Sequence, residues 1–399
     1  MKIVFFSFYY RPDLSAGSFR SAALSKALEK KLRTNDELHV ITTQPNRYLT
    51  HRVKADKNEV RGKITIHRIS VPNHRNGMIS QAYTFIVFAL YAFSICRKIK
   101  PDFLIGTTSR LMTGVLTWIS ARLLRRKYYI DLRDIFSETI SDLFALKNSF
   151  LSDVFMRLFS YFDKQMLNSA AGVNVVSEGF PEYFEKKGID TTNWSFFPNG
   201  VDEEFLNFPS PIKKSSKSVK TILYAGNIGS GQGLELVIPS IAKNLGLSYH
   251  FVIIGDGSAI SLLRAEIQRN NINNVELLSP VSRPELIKYY MAADIMFLHL
   301  NNVPAFRRVL PSKIFEYAAL KKPIVAGLSG YSAQFLRDHV PYAFLFDPGD
   351  SIAAASCILE AADSKVPEET VAKFVTIYSR SSIMDQMVNQ LIHIMKPSE

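Results

Sequence analysis

Cysteine is almost missing from this chain. Cys96 and Cys357 are the only two in 399 residues and stand far apart, which argues against a disulfide framework and fits a reducing compartment, the cytoplasm. Acidic residues are in deficit: 36 Asp and Glu face 48 Lys and Arg, a formal net charge of +12. That balance favours anionic partners, and nucleotide phosphates, lipid headgroups and nucleic acid all qualify. No zinc-ligand spacing and no recognisable single-strand module accompanies the charge, so no nucleic-acid partner is expected. Glycine and proline are not in excess and nearly half the residues are hydrophobic, the composition of a globular chain. Since one core stops growing at roughly 250 residues, two domains are expected.

One long uncharged run stands out. "ISQAYTFIVFALYAFSIC", Ile79 to Cys96, is flanked by Arg75 and by Arg97, Lys98 and Lys100. A spanning helix needs about 20 mainly apolar residues, and this run is short and interrupted by Gln81, Thr84, Ser94 and two tyrosines. A buried or cleft-lining helix is the first reading, an interfacial membrane helix the second, a true span the third. The opening "MKIVFFSFYYRPDLSAG" breaks at Arg11-Pro12 and lacks a small-residue cleavage site. It reads as a first strand, not a signal peptide.

Strand and helix patterns alternate along the chain. "KIVFFSFYY", "ELHVITT", "KITIHRI", "DFLIGTT", "KYYIDL" and "GVNVVS" are strands, with the helical "SFRSAALSKALEKKL" after the first. The Pro-, Ser- and Lys-rich Phe205 to Lys220 reads as a linker. After it the pattern restarts, from "KTILYAGNI" through "DIMFLHL". The expectation is α/β, with two Rossmann-like doubly wound domains facing a central cleft: residues 1–204, a linker at 205–220, and 221–399, whose last helix crosses back to the first domain.

Ligands in such sheets bind where strand carboxyl ends run into helix N-termini. "YAGNIGSGQGLE" places Gly226, Gly229, Gly231 and Gly233 at such a turn, where bare backbone can approach phosphate, although a flexible turn is the plainer reading. It is neither a G-x-G-x-x-G nor a P-loop. Gly255 closes a neighbouring strand, and Gly17 follows the first strand and opens a helix. In "RRVLPSKIFEYAALKKPIVAG", Arg307 to Gly327, Pro311 suits a first helical turn and Pro323 stops the helix after Lys322. Ser312 and Lys313 would sit at the positive end of that helix, with Glu316 one turn deeper. The alternative is an ordinary Lys313–Glu316 surface pair.

Taken in order, "RPDLSAGSFRSAALSKAL", "IDLRDIF", "VVSEGF", "FPNGVDEEF", "YAGN", "IIGDG", "YYMAADIMFL" and "PSKIFEYAALKKPIVAG" resemble glycosyltransferase family 4, with the GT-B fold, over nearly the whole chain. The spellings "LRD", "GNIG" and "PSKIFEY" resemble the bacterial O-antigen and capsule subgroup that includes N-acetyl-L-fucosamine transferases. The resemblance implies a UDP-sugar donor, with the ribose carboxylate at Glu316 and donor contacts at Gly17, Gly226, Asn227, Gln232, Gly233, Gly255, Val281 and Ser312. The family's second glutamate falls on Arg308, and its diphosphate-binding arginine and lysine fall on Asn227 and Gln232. Lys313 and Arg308 are therefore expected to supply the missing positive charge, Arg307 and Arg308 being alternatively a solvated patch. On the acceptor side Arg133-Asp134 stands for the family's His-Asp. Asp134 would orient an acceptor hydroxyl, or the two would pair.

No D-x-D occurs, so metal independence is expected, and no cofactor is called for. The implied reaction is retaining transfer from UDP to a lipid-diphosphate-linked glycan acceptor, with the enzyme held peripherally on the inner face of the bacterial plasma membrane. The run at Ile79 and the stretch Phe144 to Leu167, with Arg157 and Lys164, would then meet an anionic membrane surface. A UDP-sugar epimerase of the same fold and a nonenzymatic sugar-binding protein are the rival readings.

Overall fold

The computed structural model describes residues 1–13, 15–46, 55–72, 78–108, 111–135, 149–206 and 219–396. The chain forms two units: Met1–Asn199 with Arg380–Glu399, and Gly200–Ser379. The division falls before residue 204, and most of the stretch read as a linker, 207–218, lies outside the described residues.

The first unit holds an eight-stranded sheet in the order β3-β4-β2-β1-β5-β6-β7-β8. Its strands are β1 Lys2–Phe6, β2 Glu37–Thr43, β3 Asn58–Arg61, β4 Ile64–Ile69, β5 Phe103–Thr107, β6 Lys127–Leu132, β7 Gly172–Val175 and β8 Ser195–Phe196. Among the described residues only the β3–β4 pair of this sheet is antiparallel. Strands buried on both faces read as continuous apolar runs, as "IVFF" and "YYIDL" do, and parallel pairing needs helical crossovers. Those crossovers include α1 Ala16–Lys31, α2 Met78–Ile99, α3 Leu111–Leu124, α4 Ser149–Asn168 and α5 Pro181–Glu185. The C-terminal helix Arg380–Met395 packs against α1. The first residues of the Phe144–Leu167 stretch lie outside the described residues, and the rest forms most of α4.

A buried ion pair knits this unit together. Arg20 on α1 donates from Nε and Nη2 to the two oxygens of Asp131 on β6, at 2.9 and 2.8 Å. Both side chains are about 1% exposed. Nη1 also reaches the Pro198 carbonyl at 2.6 Å and Nη2 the Phe197 carbonyl at 2.8 Å, and Asn174 on β7 donates to Asp131 at 2.7 Å. A planar guanidinium fork suits a carboxylate bidentately, and hydrogen-bonding all three nitrogens is what makes such burial tolerable.

The second unit is a fully parallel sheet, β11-β10-β9-β12-β13-β14. Its strands are β9 Lys220–Asn227, β10 Tyr249–Asp256, β11 Val275–Leu278, β12 Ile295–His299, β13 Ile324–Gly327 and β14 Ala343–Phe346. Renumbered within the unit this is the order 3-2-1-4-5-6, so the topological switch point lies between β9 and β12. The helices are α6 Glu203–Leu206, α7 Leu234–Leu245, α8 Ile260–Arg269, α9 Arg283–Ala292, α10 Ser312–Ala318, α11 Tyr331–His339, α12 Ser351–Asp363 and α13 Glu368–Tyr378. α7 shows why they pack: Leu234, Val237, Ile238, Ile241 and Ala242 recur at helical spacing and are all fully buried against Phe251, Ile253 and Phe297.

Candidate functional site

The chemistry of the second unit collects at the carboxyl ends of its strands. Gly226 and Asn227 end β9, Gly255 and Asp256 end β10, and His299 ends β12. β10 approaches β9 so closely that a Cβ on Gly255 would lie 1.8 Å from the Gly226 carbonyl oxygen, which only glycine permits.

The turn from β9 into α7 is tied by side chains. Gln232 Oε1 accepts from Asn227 Nδ2 at 2.8 Å and from the Gly229 amide at 3.1 Å. Gly233, at φ +58°, caps α7 in the left-handed region, and a Cβ there would sit 2.0 Å from Asn301 Oδ1. Asn301 in turn donates to the Ser230 carbonyl at 2.5 Å. His299 is buried, with Nδ1 2.6 Å from the Gln232 carbonyl and Nε2 3.1 Å from the Gly349 amide. Those partners assign the proton to Nδ1, and burial lowers the ring's pKa, outweighing the Gln232 contact. The loop is thus tied in place by Asn227, Gln232, His299 and Asn301.

Glu316 is the centre of a second cluster. It lies on α10, is 5% exposed, and is ionised. Its Oε2 accepts from Lys313 Nζ at 2.8 Å and from the Tyr290 hydroxyl at 2.9 Å, and its Oε1 lies 3.3 Å from Arg283 Nη1. Burial alone would raise its pKa, but the charges of Lys313 and Arg283 with the hydrogen bonds from Lys313 and Tyr290 outweigh it and hold the carboxyl at about 2. Tyr290 is pushed well up by burial and by the adjacent carboxylate, so it stays a donor. Arg283 also pairs with Asp202 at 3.1 Å and with Glu204, and stands over the Phe205 ring, 4.6 Å from its centroid.

The residues expected from the sequence fall as follows. Ser312 opens α10 and Lys313 follows, both half-buried. Two corrections apply to that segment. The helix ends at Ala318, not after Lys322, because Lys321 takes a left-handed conformation (φ 56°). With only seven residues it is a weak dipole, and the Lys313 ammonium turns to Glu316 and Tyr290. The Lys313–Glu316 pair is real, but its carboxylate is buried and its ammonium half-buried. Arg308 is half-buried and donates to the Pro304 carbonyl at 3.2 Å, while Arg307 is exposed and donates to Asn302 at 2.9 Å. Val281 is half-buried two residues before α9.

In the first unit, Gly17 is buried in the opening turn of α1, whose cap is Ser15. Arg133 follows β6, its amide bonded to Thr108 Oγ1 at 2.8 Å and its Nη2 3.5 Å from Asn199 Oδ1. Its Nε and Nη1 are shut off from solvent and make no hydrogen bond. Burial lowers this guanidinium to about 10, with Arg20 and Arg380 acting the same way and Asp131 and Asp134 opposing, so it is still charged at neutral pH. Asp134 beside it is exposed.

Sequence reasoning missed Arg283, Tyr290, His299 and Asn301. A signal existed for the first two: seven residues apart, they share one face of α9. A cation in the first turn of a helix also opposes its dipole, which implies carboxylates nearby.

Residues 209–375 match the family model of glycosyl transferases group 1. Over 356 residues the chain is 23% identical to WcaI of Escherichia coli, named for glycosyl transfer in colanic acid biosynthesis, covering 83% of this chain and 84% of that one. Sucrose-phosphate synthase from Thermosynechococcus elongatus superposes with a TM-score of 0.74 at 15% identity, covering 98% of each chain. Anabaena HepE in complex with UDP-glucose gives 0.67 at 16% identity, covering 98% of this chain and 99% of that one. The fold is GT-B, two Rossmann-like units. The match over residues 209–375 and the GT-B fold support a glycosyltransferase.

Proposed function

We propose that the protein transfers a sugar from a UDP donor to a lipid-diphosphate-linked glycan acceptor in O-antigen or capsule biosynthesis, the sugar being N-acetyl-L-fucosamine or a related N-acetylated sugar. The observation that carries the donor half is the buried, ionised Glu316 at the carboxyl end of a parallel sheet. A carboxylate offers about four lone-pair sites. Three are engaged here, and Oε1 has a single partner, so a ribose hydroxyl can still donate to it.

Lys313 supports the same reading. Of its three N–H donors, two are directed at Tyr290 and Glu316, leaving one for a phosphate oxygen. As the bond from sugar C1 to the UDP oxygen breaks, charge grows on the diphosphate, and a pre-positioned ammonium lowers that barrier. The acceptor hydroxyl forms the new bond to C1 on the same face and its proton leaves with UDP, so configuration is retained without a protein nucleophile. Asn227 and Gln232, bonded to each other, present the donor loop with carboxamides instead of cations.

The deciding experiment offers a panel of nucleotide sugars with a GlcNAc-diphosphate-lipid analogue and follows both glycosylated lipid and released UDP. Product from one UDP-sugar identifies the reaction and the donor together. Interconversion of free UDP-sugars without acceptor would make the protein an epimerase instead.

A further inference from the structure

The first unit carries an apolar surface that its own core does not use. α2 is long and apolar enough to cross a membrane by length and composition, with a mean hydropathy of 1.4 over Ser80–Ile99, yet only 28% of that window is buried. One stripe, Phe85, Phe88, Ala92 and Cys96, is buried, and Phe8 next to β1 packs on its two rings with centroids 6.0 and 5.1 Å apart. That anchoring commits α2 to the sheet along its length. The opposite stripe, Tyr83, Ile86 and Leu90 at spacings of three and four, is 58, 55 and 69% exposed. On α3, which packs beside α2, Ile119 and Leu123 are 41 and 64% exposed, and α4 beside α3 adds Leu158 and Tyr161.

Charge on α2 and α3 has one sign; α4 adds Asp163, which is buried, and Asp102 just past α2 accepts from the Lys2 amide at 2.8 Å. α2 and α3 contain no Asp or Glu. Both helices lead into neighbouring parallel strands, Phe103 pairing with Lys127, so their carboxyl ends lie at one end of the layer. Arg97, Lys98 and Lys100 gather there from α2, and Arg122, Arg125 and Arg126 from α3, all exposed. In α2 the outward stripe itself runs Leu90, Ser94, Arg97, apolar first and cationic last.

We propose that the outer face of α2 and α3, continued by α4, is a docking surface for an anionic lipid bilayer. Apolar side chains enter the headgroup boundary while the arginines and lysines meet lipid phosphates, the arrangement of a helix lying in the interface plane. A second copy of the chain fits less well, because a twofold contact would bring each cationic cluster against the same kind of surface. The inference does not depend on the reaction proposed above, since it is read by vesicle binding alone.

The test is co-sedimentation of the full chain with vesicles of phosphatidylcholine alone and of equimolar phosphatidylglycerol and phosphatidylcholine. Binding is expected to the anionic vesicles, weakened by high salt and without need of detergent for release. Each cation near the surface is worth about fivefold in partitioning, so Arg122→Glu with Arg126→Glu should lower binding by more than about twentyfold. Leu90→Glu with Leu123→Glu should lower it at low and high salt alike. All four positions are exposed, and an unchanged melting temperature verifies folding. No binding to anionic vesicles, or binding indifferent to either pair of substitutions, overturns the proposal. So does a dimer in gel filtration that Leu90→Glu dissolves, which would mean that a second copy covers the face.

Discussion

Lys313 Nζ lies 2.8 Å from Glu316 Oε2 one helical turn away, and the carboxylate is buried, with Glu316 only 5% exposed. The same spacing on a solvated helix would contribute a few tenths of a kcal/mol. Here Arg283 and Tyr290 close the carboxylate from the other side, so Glu316 keeps a counter-charge without Lys313, whereas Lys313 without Glu316 keeps only the Tyr290 hydroxyl.

Glu316→Gln removes the charged acceptor offered to ribose. A hydrogen bond to a charged group is worth about 1.5–3 kcal/mol, so UDP affinity should fall by roughly ten- to a hundredfold. Titration calorimetry reads this directly, and unchanged affinity would return Glu316 to a purely structural role. A lower melting temperature is expected as well, because Lys313 loses its counter-charge.

The acid limb of stability follows from the same group. Its folded pKa, about 2, lies below the 4.5 of an ordinary glutamate. The carboxylate therefore stabilises the fold above the unfolded value, and that contribution fades as pH falls from about 4.5 through 2. Denaturant unfolding should show the gap between wild type and Glu316→Gln widest above pH 5 and closing toward pH 2. A gap independent of pH would contradict the depressed pKa.

Lys313→Ala should reduce kcat more than donor affinity, since the ammonium's unused donor meets charge that develops only as the diphosphate departs. Equal losses in both would assign Lys313 to ground-state binding. Activity of the unaltered protein in EDTA is expected to be undiminished, and inhibition restored by a divalent ion would defeat the argument from the missing D-x-D.

Gly233→Ala places a methyl 2.0 Å from Asn301 Oδ1 in a left-handed conformation. The backbone cost is about 1 kcal/mol, and the Asn301 side chain must leave the Ser230 carbonyl. KM for the UDP-sugar should rise while the fold survives. An unaltered KM would separate this loop from the donor.

Asp131→Asn leaves Arg20 buried without its counter-charge. Breaking a buried pair costs about 3–5 kcal/mol, which for a unit of this size corresponds to a drop of roughly 10 °C in melting temperature. Calorimetry should show the loss in the transition of the first unit, and a change below about 1 kcal/mol would mean that the cluster relaxes.

The sequence alone determined the element order. Apolar runs such as "IVFF" and "FVIIG" alternate with helical patterns, and burial on both faces leaves such runs no other place than the middle of a parallel sheet. It also placed Glu316 and Lys313 on one helix, because i and i+3 share a face whatever surrounds them. The antiparallel β3 and the early end of α10 at Ala318 escaped it, since short exposed strands and a lysine at positive φ leave weak local signals. Tertiary structure decided the rest: that Arg283 reaches Glu316 across 33 residues, that Arg20 finds Asp131 across 111, that His299 holds the Gln232 carbonyl, and that α2 buries one stripe and exposes the other. Each of these depends on which strands become neighbours in the sheet. Chain spacing carries no trace of that choice, because it is made by packing between segments far apart in sequence.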